Sequence, residues 1–315
     1  MTSELVTLGE TMALMSSPQV GPLRHARALH LSAAGSESNV AIGFQRLGGR
    51  ATWIGRVGAD EFGAMVAETV RGTGVQTVAI TDPDAPTGLM VKERRSADLG
   101  RVVYYRRDSA GSRLTETDLG DHIGAGVRVV HVSGITAALS ASARATVSAA
   151  ITRAREVGAL VSVDLNHRAA LWSEETAGPV LADLTKEADV VFATEEEARL
   201  VVPGADAEEL AAGLAALGPQ EVVVKRGAHG CVSRAAEQTR VVPALTVPVV
   251  DSVGAGDAFA AGYLLELCRG ESLERRLHTA TRTGAYAVTV DGDWEGAPGY
   301  DELADLDVVS GTILR

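Results

Sequence analysis

Residues 159–166, ALVSVDLN, form a short run of apolar, β-branched residues that predicts a strand. Similar β-branched runs are RVVHVSG (128–134), ADVVFAT (188–194) and EVVVKRG (221–227). In chain order, helical patterns follow the run at 128–134 (141–158), the run at 159–166 (176–188) and the run at 188–194 (195–202 and 206–218). Continuous apolar strands that alternate with helices predict an α/β fold, with a mostly parallel central sheet flanked by helices on both faces. Ligands bind outside the carboxyl ends of such strands, so the residues that follow each strand are the candidate site.

The N-terminal third continues this alternation and then interrupts it. Strands are predicted at 4–10 and 51–58, and helices at 37–49 and 61–74. The stretch TGLMVKERR-SADLG-RVVYYRR (87–107) instead predicts a β-hairpin with a polar turn that ends in glycine. Together with PLRHARALHLS (22–32), the hairpin is expected to form a small antiparallel sheet outside the main one.

Composition limits the classes of function. The 315 residues are 46% hydrophobic and 22% charged, which is typical of a soluble globular protein, and a chain of this length can bury a sizeable core. No apolar run approaches the ~20 residues that span a bilayer, and the N-terminus lacks the basic region of a signal peptide, so we expect a cytoplasmic protein without a membrane partner. A net charge of −12 disfavours nucleic-acid binding. The two cysteines, Cys231 and Cys268, and the scattered histidines fit no metal motif.

The stretch DSVGAGDAF (251–259) carries the clearest chemical signal. It follows VPVV (247–250), which predicts a strand, and it precedes a helix predicted from about Ala255 to Leu267. The first N–H groups of a helix have no partner within the helix, and the helix dipole adds positive charge there. Gly254 and Gly256 remove the side chains that would keep a phosphate away from those groups. The loop is therefore a candidate anion hole.

Asp257 lies in the first turn of the same predicted helix. The helix dipole favours its ionised form, so it is a candidate base for a hydroxyl that approaches the bound phosphorus. An anion hole beside a carboxylate base is what phosphoryl transfer to an alcohol requires, although an acidic first turn is also common without function. None of the three lysines follows a glycine, so the loop is not a P-loop, and it contains no G-x-G-x-x-G pattern.

The stretch DSVGAGDAFAAGYL (251–264) resembles the C-terminal signature of the ribokinase-like (PfkB) carbohydrate kinases, D-T-x-G-A-G-D. Residues 35–63, GSESNVAIGFQRLGGRATWIGRVGADEFG, are similar to the first signature of that family. DLNHR (164–168), TEEEA (194–198) and VVKRGAHG (223–230) follow in the order and spacing of the family, so the resemblance covers essentially the whole chain. It implies one ribokinase-like domain over 1–315, with a β-sheet lid formed by about 11–34 and 87–108. In the family this lid closes over the sugar and often mediates dimerisation, so a homodimer is expected.

The resemblance also implies the phosphate donor and its site. It implies ATP as donor and Mg²⁺ bridging its phosphates, and it leaves open a monovalent cation. Asp257 would be the base, and the backbone at Gly254, Ala255 and Gly256 the anion hole. The other implied contacts are cofactor-binding residues at Lys225, Gly227 and Asp251, and Glu197 acting on the metal through water. Thr194 stands where the family usually has asparagine.

The predicted hairpin carries the candidate acceptor site. Alternation along RVVYYRRDSAG (101–111) places Tyr104 and Arg106 on one face, where the guanidinium could hold a carboxylate. Arg168 follows another strand and could supply a second positive contact. The alternative interpretation is a hairpin with an ordinary solvated basic face.

Within the family, YYRRDSAGSRLTETDL (104–119) and DLNHRAALWS (164–173) look most like the 2-keto-3-deoxygluconate kinases. There a tyrosine and two arginines hold an acidic keto sugar. The same resemblance implies that Gly35 and Asn39 contact sugar hydroxyls, with Ala34-Gly35 replacing the usual Gly-Gly pair. Two alternatives remain open: a fructokinase- or ribokinase-like kinase of neutral sugars, and a catalytically silent sugar- or nucleotide-binding module.

Overall fold

The computed structural model describes residues 3–96, 100–236 and 238–307. The described strands, in chain order, are β1 (Leu5–Leu8), β2 (Met12–Val20), β3 (His30–Ala34), β4 (Ala51–Gly58), β5 (Gln76–Asp82), β6 (Leu89–Arg94), β7 (Gly100–Tyr105), β8 (Val129–Ser133), β9 (Leu160–Asp164), β10 (Val190–Thr194), β11 (Glu221–Lys225), β12 (Cys231–Ala235) and β13 (Gln238–Val242).

The described α-helices are α1 (Ser36–Arg46), α2 (Glu61–Gly72), α3 (Gly134–Leu139), α4 (Ala141–Glu156), α5 (Glu174–Lys186), α6 (Glu195–Arg199), α7 (Ala207–Ala215), α8 (Ala255–Cys268) and α9 (Leu273–Ala287). Short 3₁₀ turns lie at Leu23–His25, Ala110–Arg113, Glu116–Leu119, Gly227–His229 and Asp301–Asp307.

The large sheet has nine strands in the order β13-β12-β11-β10-β9-β8-β1-β4-β5. The strands from β11 to β5 pair in parallel, and β12 and β13 add an antiparallel edge. The predicted α/β class, with a mostly parallel sheet between helices, is therefore confirmed.

Each central strand is buried on both faces because its residues alternate between two apolar cores. In β11, Val222 and Val224 pack into the core on one side of the sheet, and Val223 packs into the core on the other. Helices α4, α5 and α7 cover the first side, and α1, α8 and α9 cover the second. This double coverage explains why the strands are continuous apolar runs.

The small sheet has the order β3-β2-β6-β7. Strands β6 and β7 pair antiparallel, as the hairpin pattern predicted, although residues 97–99 of its turn lie outside the described residues. The prediction of an antiparallel sheet was wrong, because β2 and β6 pair in parallel. Both strands enter the small sheet directly after parallel strands of the large one, β1 and β5, so they leave the same edge in the same direction.

The prediction of a strand at VPVV was also wrong. Residues 243–249 form an extended connection between β13 and α8, and Val249 and Val250 are 68% and 55% exposed. The backbone N–H groups of Val250 and Asp251 donate to the carbonyl of Val288, 2.8 and 3.2 Å away, at the end of α9. The end of α9 offers this segment a single carbonyl acceptor and not the row of backbone groups that a neighbouring strand would offer. The apolar run therefore forms a loop.

Among the described residues, no helix combines the length and the apolar character that crossing a membrane requires.

Phe192 of β10 anchors the core beneath the candidate site. Its fully buried ring packs edge-on against Tyr263, with ring centroids 5.3 Å apart, and against Phe259 at 6.3 Å. We expect Phe192→Ala to lower the free energy of unfolding by about 3 to 5 kcal/mol, because it leaves a cavity between sheet and helix. Urea denaturation measures the change. The matched control Val157→Ala, at the exposed end of α4, should change it by less than about 0.5 kcal/mol.

Candidate active site

The carboxyl ends of the central parallel strands bring polar side chains to one edge of the large sheet. Asp164, the last residue of β9, is in register with Ser133 of β8 and Phe192 of β10. Thr194 at the end of β10 is in register with Lys225 at the end of β11. The sequence predicted that the residues after these strands would converge, and they do.

The DSVGAGDAF loop lies above this edge and turns into α8. Gly254 is the N-cap of α8 and adopts φ +75°, a left-handed conformation that strongly favours glycine. A Cβ on Gly254 would also lie 1.8 Å from the carbonyl oxygen of Asp293. A Cβ on Gly256 would lie 3.3 Å from Lys225 Nζ, so the ammonium group stands beside the first turn of the helix. Backbone N–H groups and a lysine therefore face the same space.

Asp257 is held by side chains from the other end of the chain. Ser36 Oγ donates to Asp257 Oδ1 at 2.7 Å, and Asn39 Nδ2 donates to Asp257 Oδ2 at 2.9 Å. Asn166 Nδ2 donates in turn to Ser36 Oγ at 2.8 Å. Gly35 is the N-cap of this first helix, where a Cβ would lie 2.5 Å from the carbonyl oxygen of Glu10. The N-terminal turn of α1 therefore places Asn39 against the candidate base Asp257, and Gly35 begins that turn.

The electrostatic environment of Asp257 favours proton uptake. Burial raises its pKa, the hydrogen bonds from Ser36 and Asn39 oppose that rise, and repulsion from Asp164 adds to it. Lys225 acts in the opposite direction. A carboxylate with a raised pKa is a better proton acceptor than an ordinary aspartate.

Lys225 and Asp164 form a buried ion pair. Lys225 Nζ donates to Asp164 Oδ2 at 2.6 Å, and both side chains are largely shielded from water. Burial disfavours the charged lysine, but attraction to Asp164, Glu197 and Asp257 outweighs it and raises the pKa of Lys225. The lysine therefore remains charged beside the glycine loop. Asp164 Oδ1 has no hydrogen-bond partner within the described chain.

Glu197 lies in the first turn of α6 and closes a capping box with Thr194. Thr194 Oγ1 accepts from the N–H of Glu197 at 3.2 Å, and Glu197 Oε2 accepts from the N–H of Thr194 at 2.8 Å. The threonine is thus engaged as a helix cap. Burial and then repulsion from Asp164 raise the pKa of Glu197, while Lys225 and Arg168 lower it.

Arg168 and Gly227 are exposed residues that follow β9 and β11 at the carboxyl edge of the large sheet. Arg168 is exposed and is close enough to influence the charge of Glu197. Gly227 adopts φ +53° in the 3₁₀ turn after β11, so the turn itself favours glycine.

Tyr104 and Arg106 share a face, as the alternation predicted, with the guanidinium 5.8 Å from the ring centroid of Tyr104. Arg106 does not stand free, however. Its Nε donates to Glu10 Oε2 at 2.7 Å, and its Nη2 lies 2.5 Å from the same oxygen. Ser109 Oγ also donates to Glu10. Since Glu10 follows β1, this ion pair joins the hairpin to the large sheet.

Asp251 connects the glycine loop to its surroundings. Its carboxylate accepts from the N–H groups of Val253 at 3.2 Å and Gly292 at 3.3 Å, and it pairs with Lys92 of the small sheet. Asp251 therefore joins the glycine loop to the segment after α9, and Lys92 is its counter-ion.

The carboxylates of this edge fit Mg²⁺ better than a softer metal. Asp164 and Glu197 offer oxygen atoms, which Mg²⁺ prefers, and Asp164 Oδ1 lacks a partner among the described residues. In the same described part of the chain, no three His, Cys, Asp or Glu side chains come together as a closed metal site. This arrangement suits a metal that arrives with a phosphate and keeps its waters.

Several site residues were not singled out from the sequence. Ser36 binds Asp257, Asn166 binds Ser36, Asp164 binds Lys225, and Glu10 binds Arg106. For Asp164 and Asn166 the signal was present, because both end a predicted parallel strand. Ser36 and Glu10 carry no comparable pattern.

The geometry combines three chemical functions at one edge of the large sheet. A glycine-lined helix start and Lys225 can hold an anion, and Asp257 can accept a proton. Two further carboxylates can hold a hydrated divalent cation. This set is suited to transferring a phosphoryl group to a hydroxyl.

Comparison with known proteins agrees with this class. The family profile described as pfkB family carbohydrate kinase matches residues 2–298. The chain is 35% identical to a 2-dehydro-3-deoxygalactonokinase of Haloferax volcanii, over 93% of each chain. It is also 35% identical to a 2-dehydro-3-deoxygluconokinase of Thermoproteus tenax, over 96% of this chain and 93% of that one. Among solved structures, the fructokinase of Xylella fastidiosa with bound ATP has a TM-score of 0.84 and 27% identity, and covers 96% of this chain and 98% of that one.

The chain belongs to the pfkB family of carbohydrate kinases. It is therefore a sugar kinase with the ribokinase-like fold, as the sequence motifs predicted.

Proposed function

We propose that this kinase transfers the γ-phosphoryl group of ATP to a hydroxyl of 2-keto-3-deoxygluconate or a closely related acidic keto sugar. The observation that carries the transfer is the position of Asp257 in the first turn of α8, beside the glycine loop and near Lys225. The acceptor is supported by the two kinases of 2-dehydro-3-deoxy sugar acids named above, each 35% identical to this chain.

In the proposed mechanism the sugar oxygen attacks the γ-phosphorus in line with the bond to the leaving ADP oxygen. The hydroxyl proton passes to the carboxylate of Asp257 as the new O–P bond forms and the bond to ADP breaks. The N–H groups of Gly254, Ala255 and Gly256, together with Lys225, stabilise the negative charge on the transferring group. Ser36 and Asn39 keep the carboxylate oriented towards the acceptor.

Mg²⁺ would bind near Glu197 and Asp164 through water. When bound, the ion neutralises part of the phosphate charge. Lys225 and Gly227 would lie along the phosphates, and the exposed Val249 and Val250 before the glycine loop would offer an apolar surface to the nucleotide base.

The small sheet would form the lid over the sugar. Tyr104 and Arg106 project from it, and Arg168 approaches from β9, so two guanidinium groups can flank an acidic sugar. Glu10 orients Arg106 and neutralises much of its charge. That pairing also favours a second candidate, a kinase of a neutral sugar such as fructose, because a neutral sugar does not require a free guanidinium.

Asp257→Asn tests the proposed base. We expect kcat to fall by roughly 100- to 10,000-fold, because an amide cannot accept the hydroxyl proton. The sugar Kd should change little, since the side chain keeps its size and a hydrogen-bonding oxygen. Coupled ADP release measures kcat, and calorimetry measures sugar binding. The control Asp183→Asn, an exposed carboxylate on α5, should match the wild type. A wild-type rate in Asp257→Asn would exclude the role, and tight sugar binding without ATP consumption in the wild type would favour a silent binding module.

A substrate panel tests the acceptor. With 2-keto-3-deoxygluconate, 2-keto-3-deoxygalactonate, fructose and ribose, we expect the highest kcat/KM for a keto acid. Arg106→Ala and Arg168→Ala should each lower that value by about tenfold or more, because a hydrogen bond to a charged group contributes about 1.5 to 3 kcal/mol. Arg107→Ala, an exposed neighbour, is the control. Arg168 is exposed, so its removal leaves the fold intact. Preference for fructose, or no effect of either variant, would favour the neutral-sugar kinase.

We also propose that two copies of the chain associate through the outer face of the small sheet. Leu31 and Tyr105 share this face in the strand register, and they are 51% and 64% exposed. A groove of about 490 Å³ is lined by Leu31 together with Met15, Leu23 and Leu29, and by Arg27. Exposed apolar patches of this kind are typical of protein interfaces.

Sedimentation analysis tests the association. The wild type should sediment as a dimer, and the double variant Leu31→Ser, Tyr105→Ser should shift towards the monomer because it removes the apolar contact. Val241→Ser, at the exposed edge of the large sheet, should remain dimeric. A monomeric wild type, or a dimer unaffected by the double variant, would contradict the proposal.

A further inference from the structure

Lys92 is a nearly buried lysine on the inner face of the small sheet. In the register it pairs with Ser16 of β2 and Val102 of β7, so it points to the same side as Tyr104. Its side chain is 13% exposed, and its ammonium group contacts Asp251, which is 9% exposed. Burial of a lysine is costly unless its charge is compensated. The burial of Lys92 against Asp251 therefore indicates that its charge has a function in the loop that contains Asp251.

Lys92 stands among several carboxylates. Besides Asp251, the buried Asp293 lies close enough for Lys92 to lower its pKa against the effect of burial, while Glu295, Asp251 and Asp257 raise it, with a net pKa of about 7. Glu295 is engaged by Ser32 Oγ of the small sheet and by the N–H groups of Asp293 and Trp294. Lys92 therefore offsets part of the negative charge of this group of acids.

These acids support the anion hole directly. Asp251 accepts from Val253 N–H at 3.2 Å and from Gly292 N–H at 3.3 Å, so it joins the loop before Gly254 to the segment after α9. The carbonyl of Asp293 packs against Gly254 so closely that a Cβ there would lie 1.8 Å away. Displacement of Asp251 or Asp293 would therefore shift Gly254 and the N–H groups that follow it.

The family resemblance leaves open a monovalent cation among the ions of this loop. The residues of this chain do not fit a separate cation at Asp251, because the Lys92 ammonium and the Gly292 N–H contact Oδ2, the Val253 N–H donates to Oδ1, and the ammonium charge would repel a second cation. We propose that Lys92 is a built-in cation: a positioning residue that replaces a monovalent ion and links the small sheet to the anion hole.

This role rests on the phosphoryl-transfer function proposed for the Gly254–Gly256 loop. Two consequences follow from it. The wild-type enzyme should not require potassium, because its own lysine supplies the charge. Movement of the small sheet should also move the anion hole, because the same lysine is attached to a strand of that sheet.

Lys92→Met tests the proposal by removing the charge while keeping most of the side-chain volume. Activity is measured in tetramethylammonium chloride and in potassium chloride of equal ionic strength. We expect wild-type kcat to be the same in both salts. In tetramethylammonium, kcat of Lys92→Met should fall by about ten- to a hundredfold, because a displaced anion hole stabilises less transition-state charge. Potassium or ammonium should restore part of it, and the sugar KM should change less than kcat.

Two readouts do not depend on turnover. Crystals soaked in rubidium should show an anomalous peak beside Asp251 in Lys92→Met and none there in the wild type. The melting temperature of the variant should rise with potassium but not with tetramethylammonium. Lys186→Met, which removes an exposed lysine of α5, should behave as the wild type throughout.

Potassium dependence of the wild type, a rubidium peak at Asp251 in the wild type, or wild-type kinetics of Lys92→Met in both salts would each overturn the proposal. The wild-type measurements decide it even if the variant fails to fold. If no sugar is phosphorylated, the rubidium and melting results still test Lys92, so its failure can be distinguished from failure of the proposed function.

Discussion

The contact between α1 and α8 is the constraint on which the site depends. At their N-termini, Ser36 and Asn39 donate to Asp257 across 221 and 218 positions of the chain. Farther along, Gly43 lets the helices approach, since a Cβ there would lie 2.9 Å from Cβ of Ala261. Because this packing fixes the first turn of α8, the glycine loop and Asp257 keep one position above the carboxyl edge of the sheet.

At the carboxyl edge of the large sheet, carboxylates outnumber the basic groups. Asp164, Glu197 and Asp257 surround the Lys225 ammonium. Burial and repulsion from Asp164 raise the pKa values of Glu197 and Asp257, whereas attraction to the carboxylates raises the pKa of Lys225 against the effect of burial. A polyanion enters such a site most favourably together with a divalent cation, because the cation offsets carboxylates and phosphates alike. The acidic edge and the basic lysine are therefore complementary parts of one phosphate site.

The regular elements were predictable from local patterns, whereas errors occurred where the partner was distant. The runs at 128–134, 159–166, 188–194 and 221–227 became parallel strands because each is buried on both faces. VPVV is similarly apolar, but its neighbour is the end of α9, so it forms a loop. The parallel pairing of β2 with β6 depends on where β1 and β5 end, which no pattern within the small sheet reveals.

The candidate site divides in the same way. The sequence by itself determined the chemistry: the glycines, Asp257, Glu197 and Lys225 stand at helix starts or strand ends, whose exposed backbone groups and shared sheet edge follow from general geometry. Only the tertiary structure decided the ion pairs, because Arg106 meets Glu10, Lys225 meets Asp164 and Lys92 meets Asp251 across 61 to 159 positions of the chain. A charged side chain pairs with whichever opposite charge the folded chain brings close to it. Sequence alone therefore identifies the groups that can react, and the fold determines which of them balance one another.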